Sequence, residues 1–304
     1  MNTGKTTNSV GFARAKLIFA MTIFGTIGIF VKQIPLPSGM VACVRGFVGV
    51  GFLLLVTLIK KSKISFKDIR KNFLLLCVSG IFIGINWILL FEAYHYTTVA
   101  TATLCYYMAP IFVTLAAPFI LKEKLTVKKA VCIFIALIGM VFVSGIVSSG
   151  SLQINVPGIL CGLGAAFFYA CVILLNKHIK DISSYDMTMT QLFIAAIVIL
   201  PYVLLAEDIS LKSLDVTAII CLLLIGIVHT GFAYMIYFSS ITALKAQTVA
   251  IFSYIDPVVA IILSALLLKE KIGFFGTIGA VLILGSTLFS EITLKKITKN
   301  DKAD

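Results

Sequence analysis

One phrase occurs twice in this chain. Residues 104–125 read LCYYMAPIFVTLAAPFILKEKL, and residues 251–272 read IFSYIDPVVAIILSALLLKEKI. The shift that places Tyr107 on Tyr254 also superposes a proline three residues later and the LKEK tetrapeptide near the end of each phrase. The repetition predicts a fold built from two related halves.

The composition indicates an integral membrane protein. Of the 304 residues, 60% are hydrophobic and only 12% are charged, and the mean hydropathy is +1.09. A soluble domain typically has about 25% charged residues. Apolar runs of about 20 residues, which cross a hydrocarbon core of about 30 Å as a helix, recur along the whole chain. We therefore expect an all-α, polytopic membrane protein.

Ten apolar runs are separated by charged, polar or Pro/Gly-containing segments. They lie at 15–34, 40–60, 72–97, 98–121, 127–147, 157–177, 187–206, 216–241, 245–268 and 273–291. The repeated phrase falls in the fourth and ninth runs, so one unit has five spans, and an odd number inverts the second unit. The sequence predicts ten transmembrane helices as an inverted 5+5 repeat. The first repeat covers 15–147, the second covers 157–291, and a cytoplasmic tail covers 292–304.

The distribution of basic residues predicts the orientation. If both termini are cytoplasmic, the outer segments contain only Lys32, Lys212, Lys269 and Lys271 of the chain's 25 lysines and arginines, and Arg45 lies inside a span. Cytoplasmic segments of membrane proteins are enriched in Lys and Arg. We expect a multi-pass protein of the cell membrane with both termini cytoplasmic. This bias accounts for the net charge of +12 without a nucleic-acid partner.

Several motifs resemble one known family. They are FGTIGIFVK (24–32) in the first span, Arg45 in the second, FEAYHYTTVATA (91–102), and the two proline-bearing spans that end in LKEKL and LKEKI. With these motifs the chain resembles the drug/metabolite transporter (DMT) superfamily, of the type with two EamA repeats. The resemblance covers essentially the whole chain. It implies a ten-helix carrier that moves small metabolites, often outward, by alternating access through a cavity lined mainly by spans 1, 3, 4, 6, 8 and 9.

We therefore expect a secondary transporter of a small, amino-acid-like or related metabolite, acting in efflux. The alternatives are an exporter of lipophilic or toxic cations, and a membrane scaffold or sensor that transports nothing. The expected partners are a small-molecule substrate and the lipid bilayer, and protons are a candidate coupling ion. The protein is expected to be either a monomer or a homodimer. The sequence has no G-x-x-x-x-G-K-[ST], H-E-x-x-H or G-x-S-x-G motif, so we expect no enzyme activity, cofactor or metal.

Asp256 is the deepest acidic residue, about half-way along the ninth span, and Ala109 matches it in the first repeat. A charge at the centre of a membrane helix costs about 2.5–3.5 kcal/mol on insertion scales, so it needs a compensating role. That role is either substrate or proton binding, or a hydrogen bond in helix packing. Pro110 and Pro257 each leave a backbone carbonyl unpaired one turn earlier, and such helix breaks at matched depth are typical of a transport site.

Arg45 and Glu92 are predicted at similar depth, near the outer ends of the second and third spans. A salt bridge between them would lower the cost of burying each charge. They form either a structural pair or part of an outer gate, and Arg45 could instead hold a carboxylate substrate.

The remaining candidates for the substrate site lie near mid-depth or are aromatic residues that could stack on a ligand. They are Asn86, Trp87, Tyr107, His229, Tyr234 and Tyr254. For each residue a packing role is the alternative to substrate binding.

Overall fold

The computed structural model describes residues 3–61, 63–120, 125–143, 155–208, 214–241, 244, 249 and 252–291. Within these ranges the regular structure is helical and no strand occurs. Seven helical segments are long and apolar enough to cross a membrane, and shorter apolar helices follow them near the end of the chain. The expectation of an all-α, polytopic membrane protein is confirmed.

Thirteen α-helices and one π-helical segment are described. They are α1 (Thr3–Val31), α2 (Ser38–Ile59), α3 (Phe66–Lys71), α4 (Phe73–Tyr96), α5 (Val99–Tyr106), α6 (Ala109–Ile120), α7 (Val127–Val143), α8 (Val156–Asn176), α9 (Ser184–Ala206), α10 (Val216–Leu224), the π segment (Ile225–Phe232), α11 (Ala233–Ile241), α12 (Ile255–Leu267) and α13 (Phe274–Glu291). α5 and α6 together form the fourth span, and α10, the π segment and α11 form the eighth. The short helix α3 lies in the link between spans 2 and 3.

Side-chain caps fix the start of several spans. The Thr98 hydroxyl accepts from the Thr101 amide at the start of α5, and Asn155 caps α8 through the Gly158 amide. Asp215 accepts from the amide of Ala218 at the start of α10. Such caps satisfy backbone donors that a helix terminus leaves unpaired. The cap at Thr98 separates the third and fourth apolar runs, which are nearly continuous in the sequence.

Two spans are interrupted at equivalent points of the repeat. The fourth span has a turn at Tyr107 and Met108 between α5 and α6, and the ninth has a turn at Tyr254 before α12. In each case the break precedes a proline, Pro110 or Pro257, whose ring nitrogen cannot donate to the carbonyl four residues earlier. The breaks expose backbone inside the molecule, where it lies beside the other repeat.

The helix contacts follow an approximate two-fold symmetry. Span 3 packs on span 6 as span 8 packs on span 1, and span 4 packs on span 6 as span 9 packs on span 1. Span 3 packs on span 7 as span 8 packs on span 2, and spans 2 and 7, 4 and 9, and 5 and 10 pack against each other. Each of these contacts maps onto another, or onto itself, when five is added to or subtracted from both span numbers. This is the packing expected of an inverted 5+5 repeat.

Spans 5 and 10 cross at a pair of glycines. A Cβ added at Gly139 would lie 2.9 Å from the Gly279 carbonyl oxygen, and one added at Gly279 would lie 2.6 Å from the Gly139 carbonyl oxygen. Only residues without a side chain allow the backbones to approach this closely. No described residue of these two spans lines the cavity described below, which agrees with a peripheral position for them.

On the face that carries α3, polar links join the two repeats. The Asn72 side chain donates to the Lys180 carbonyl at 2.9 Å, and Lys71 Nζ lies 2.5 Å from Asp181 Oδ2. Their hydrogen bond lowers the pKa of the Asp181 carboxyl and raises that of Lys71. Both side chains are exposed, so the ion pair contributes little to stability.

Candidate functional site

A cavity of about 300 Å³ lies between the two repeats. It is bounded by spans 1, 2, 3, 4, 6, 8 and 9. Its walls are formed by Met21, Phe24, Gly25, Ile27, Arg45, Asn86, Trp87, Leu90, Tyr94, Thr103, Tyr106, Tyr107, Ala109, Pro110, Tyr169, Ile173, Tyr234, Tyr237, Ser253, Asp256 and Ala260. The volume is that of a small organic molecule.

Tyrosines dominate these walls. Six of the chain's ten tyrosines line the cavity. Tyr106 stacks on Tyr169 with the ring centroids 5.3 Å apart, and Tyr234 packs against Phe24 at the same centroid distance. Tyrosine combines a large apolar ring with a hydroxyl, so the walls can bind both the body and the polar groups of a ligand.

Asp256 lies on the wall formed by span 9, directly after the turn at Tyr254. Because Pro257 has no amide hydrogen, the Ser253 carbonyl is free to bond elsewhere, and it accepts from the Tyr107 hydroxyl at 3.1 Å. The same hydroxyl lies beside the Asp256 carboxyl group. The two interrupted spans are therefore joined at the cavity wall through a side chain of one and the opened backbone of the other.

Arg45 lies on the wall formed by α2 and is 5% exposed. Its Nε donates to Thr230 Oγ1 at 2.7 Å. Its guanidinium carbon is 4.3 Å from the centre of the Trp87 ring and 5.5 Å from that of Phe91. The aromatic faces offset part of the cost of burying the cation, by about 0.5–2 kcal/mol each.

The π segment of span 8 supplies the partner of Arg45. Here the Thr230 hydroxyl reaches the carbonyl of Ile225, and His229 Nδ1 lies 3.3 Å from the carbonyl of Leu224, each five residues earlier. His229 Nε2 also lies 2.7 Å from Thr26 Oγ1 on α1. Short π-helical segments inside α-helices often occur at functional sites.

Outside the cavity, a polar cluster forms around Glu270. The carboxylate accepts from the Val99 amide at 2.9 Å and from the Ser264 hydroxyl, and it lies 3.8 Å from Lys32 Nζ. Lys32 also donates to the Thr97 carbonyl at 3.1 Å. The cluster joins the end of α1, the start of α5 and the end of α12 on one face of the molecule.

Comparison with known proteins identifies the family. The model of the EamA-like transporter family matches residues 13–145 and 156–291. The chain belongs to this family. The resemblance inferred from the motifs is thereby confirmed, and the protein is a membrane transporter of the EamA-like family.

Two relatives and one solved structure illustrate the extent of the similarity. The uncharacterized transporter YxxF of Bacillus subtilis (strain 168) is 32% identical over 95% of this chain and 91% of its own length. A probable amino-acid metabolite efflux pump of Salmonella typhimurium (strain LT2) is 32% identical over 58% of this chain and 62% of its own. A crystal structure with 16% sequence identity superposes with a TM-score of 0.65 and covers 91% of this chain and 95% of its own, which shows the fold alone. The names of the relatives fit a protein that is not an enzyme.

The structure brings five of the predicted substrate-site residues to the cavity of this EamA-like protein. They are Asn86, Trp87, Tyr107, Tyr234 and Asp256. The Asn86 side chain is anchored by a 2.6 Å hydrogen bond to the Ala165 carbonyl.

Tyr254 and His229 lie behind the wall instead. The ring of Tyr254 is centred 6.2 Å from that of Tyr107, and His229 packs between Thr26 and Phe30. Of the two prolines at the helix breaks, Pro110 lines the cavity and Pro257 is buried outside it.

The structure does not bring Arg45 and Glu92 together. The Glu92 carboxylate accepts from the Ser38 hydroxyl at 2.6 Å, whereas Arg45 bonds to Thr230. The reason lies in the start of α2, which begins at Ser38 rather than at residue 40. Arg45 therefore lies about two turns, or roughly 10 Å, inside the helix, level with Trp87 rather than with Glu92.

Sequence reasoning missed four polar wall residues, Tyr94, Thr103, Tyr169 and Ser253. Each lies on a span expected to line the cavity, but nothing in an all-apolar span shows which way it is rotated. Helical spacing could have indicated Thr103, which lies one helical turn before Tyr107 on the same span. No comparable sequence signal marks the π segment, since IGIVHTGF contains no proline or polar cluster.

Proposed function

We propose that the protein is a secondary carrier that moves a small, amino-acid-like metabolite outward across the cell membrane by alternating access. The observation that supports this most strongly is the tyrosine-lined cavity between two inverted repeats, with Arg45 from one repeat and Asp256 from the other on its walls. Tyr94 and Tyr234 lie on the same walls, near both groups. A ligand that carries an anionic and a cationic group on a compact apolar body would match this arrangement.

The path of the substrate would follow the two interrupted spans. The halves are proposed as two EamA repeats, 15–147 and 157–291, with the 292–304 tail, outside the described residues, in the cytoplasm. In this orientation the Glu270 cluster lies on the outer face. The cavity would open alternately to either side as the repeats rock against each other, with Pro110 and Pro257 at the points of bending. Protons are the proposed coupling ion, with Asp256 as the group that exchanges them.

A relative's name also supports the direction and substrate class. The Salmonella typhimurium relative is named a probable amino-acid metabolite efflux pump. A second candidate is export of lipophilic cations, which the tyrosine walls and Asp256 favour, because aromatic faces and a carboxylate both attract cations.

The test is a thermal-shift screen of the detergent-purified protein against amino acids, their derivatives and tetraphenylphosphonium, followed by flux of each hit into proteoliposomes. A carrier of amino-acid-like metabolites is stabilised by some of these compounds and transports them faster than protein-free liposomes. Flux of tetraphenylphosphonium alone would favour the cation exporter. Ligand binding without flux, or neither, would contradict a carrier and favour a scaffold or sensor.

A further inference from the structure

Arg45 is a buried cation whose charge is not paired with a carboxylate in the described part of the chain. The ion pairs found there are Lys32–Glu270 and Lys71–Asp181. Glu92, the acid expected to neutralise Arg45, is bonded to Ser38 instead. A charge held inside a membrane protein without a counter-charge is costly, and such residues usually face a substrate pathway.

The hydrogen bonds of Arg45 fix its orientation and leave its far end open. Only Nε is bonded, to Thr230; the terminal nitrogens Nη1 and Nη2 make no hydrogen bond to the described residues. Arg45 nevertheless lines the cavity. The Trp87 ring, 4.3 Å from the guanidinium carbon, and the bond to Thr230 together limit the movement of the group, so the unused donors are held in place as a fork.

The fork is supported by a close helix contact. A Cβ added at Gly49 would lie 2.4 Å from Thr230 Cγ2, so the glycine allows the π segment to approach α2 closely enough for Thr230 to reach Arg45. The π segment and Gly49 together fix the position of Thr230 and, through it, the orientation of the Arg45 side chain. Two adjacent N–H donors of a planar guanidinium match the two oxygens of a carboxylate, which is why Arg binds carboxylates in a bidentate way.

We propose that Arg45 is the carboxylate-binding residue of the cavity, positioned by Trp87 and Thr230, and that the transported molecule carries a carboxylate group. This deepens the proposed function, on which it rests for its place in the transport cycle. Asp256 then lies where it can meet the remaining, cationic or hydrogen-bonding, part of the ligand.

The chain has a single tryptophan, Trp87, and it stacks on Arg45, so intrinsic fluorescence reports on this site directly. The purified protein is titrated with phenylacetate and, in parallel, with phenylacetamide, a neutral molecule of nearly the same shape. We expect a saturable change in Trp87 emission with phenylacetate and binding about 10- to 100-fold weaker with phenylacetamide, since a hydrogen bond to a charged group is worth roughly that factor. Equal binding of both probes would overturn the proposal. An equal response to sodium chloride would reveal a site for anions in general and overturn it as well.

Two pairs of variants locate the effect. Arg45→Gln should abolish the preference for phenylacetate, and Arg45→Lys should restore only part of it, because a lysine lacks the planar fork. Gly49→Ala should weaken phenylacetate binding by displacing Thr230. Its control is Gly51→Ala, on the same helix, where an added Cβ meets nothing within 4 Å. If Arg45→Gln does not fold, the Gly49 and Gly51 pair and the two probes still decide the question.

Flux measurements separate this proposal from the proposed function. Transport of a metabolite by a protein that shows no preference for phenylacetate would overturn the carboxylate site and leave the carrier intact. Preferential, Arg45-dependent binding of phenylacetate in a protein that transports nothing would support the carboxylate site and overturn the carrier.

Discussion

At the scale of single residues, Asp256 and Ala109 occupy the same position of the two repeats, but only one of them can carry a charge. The structure shows what surrounds the acid: an opened backbone at Ser253 and the hydroxyl of Tyr107, which comes from the equivalent break in the other repeat. The Tyr107 hydroxyl has one hydrogen and donates it to the Ser253 carbonyl, not to the Asp256 carboxyl group. Asp256 thus keeps bonding capacity for a ligand or a proton.

Asp256→Asn should leave insertion and folding intact, because the change removes a buried charge at nearly constant volume. Transport, or its dependence on pH, should be lost, since the amide of asparagine does not bind and release a proton as a carboxyl group does. Ala109→Ser, at the symmetric position, should have a mild effect. The measurement is flux of the identified substrate into proteoliposomes across a pH series. Flux like that of the parent at every pH would show that the acid is structural.

Arg45 and Glu92 have separate partners, so we expect their contributions to stability to be additive. Replacing each by alanine should lower the thermal stability of the purified protein, because Arg45→Ala removes the contacts of the guanidinium group with Thr230, Trp87 and Phe91, and Glu92→Ala removes the acceptor of the Ser38 hydroxyl. The double variant should lose the sum of the two effects within about 0.5 kcal/mol. A coupling energy well above that value would show that Arg45 and Glu92 interact, as the sequence predicts.

The residue-level errors have a common physical origin. Depth along a helix can be counted from its charged or polar ends, so the sequence placed Trp87, Asn86, Tyr107 and Asp256 near the middle of the membrane. Rotation about the helix axis is set by packing, and an apolar span in lipid has no polar face that records it. Hence His229 was expected in the cavity but packs behind its wall.

At the scale of helices, the sequence indicates one kind of helix interruption, the proline breaks, and does not indicate the other, the π segment. The breaks in spans 4 and 9 are marked by prolines, and both the repeat and the chemistry of proline indicate them in advance. The π segment of span 8 has hydrogen bonds to the residue five positions earlier instead of four, and this change leaves the hydrophobic pattern of the sequence unaltered. It has no equivalent in span 3, where α4 is continuous from Phe73 to Tyr96. The two halves therefore differ in backbone as well as in sequence.

The glycine crossing of spans 5 and 10 gives a direct test of helix packing. Gly279→Ala would place a Cβ 2.6 Å from the Gly139 carbonyl oxygen and 3.0 Å from the Val143 amide nitrogen, and neither backbone atom can move cheaply. We expect destabilisation of about 1–3 kcal/mol, typical of overpacking. Thermal unfolding in detergent measures it.

Gly285→Ala is the matched control, since it lies on the same helix and an added Cβ there meets nothing within 4 Å. It should be neutral or stabilising by up to about 1 kcal/mol, because alanine favours a helix over glycine. Equal stability of the two variants would mean that spans 5 and 10 do not cross at this pair.

At the scale of the whole molecule, the symmetry of the helix contacts gives the repeated phrase its meaning. The two copies lie in the spans that meet each other at the cavity, so duplication placed two similar helix breaks around one site. The differences between the halves, Asp256 against Ala109 and the π segment against a regular helix, lie at that same site. A nearly symmetric scaffold thus encloses an asymmetric cavity, as a carrier needs if its frame can rock between two related states while its site recognises one orientation of a ligand.

The orientation of that scaffold is the remaining prediction, and it rests on the excess of basic residues in the segments assigned to the cytoplasm. With both termini cytoplasmic, Lys271 after α12 faces outward and Lys67 in α3 faces inward, and both side chains are exposed. In a variant without the seven native cysteines, Lys271→Cys should react with an impermeant thiol reagent in intact cells. Lys67→Cys should react only after the cells are permeabilised, which also shows that its thiol is accessible. The opposite labelling pattern would show that the protein has the inverted orientation, with the Glu270 cluster on the cytoplasmic side.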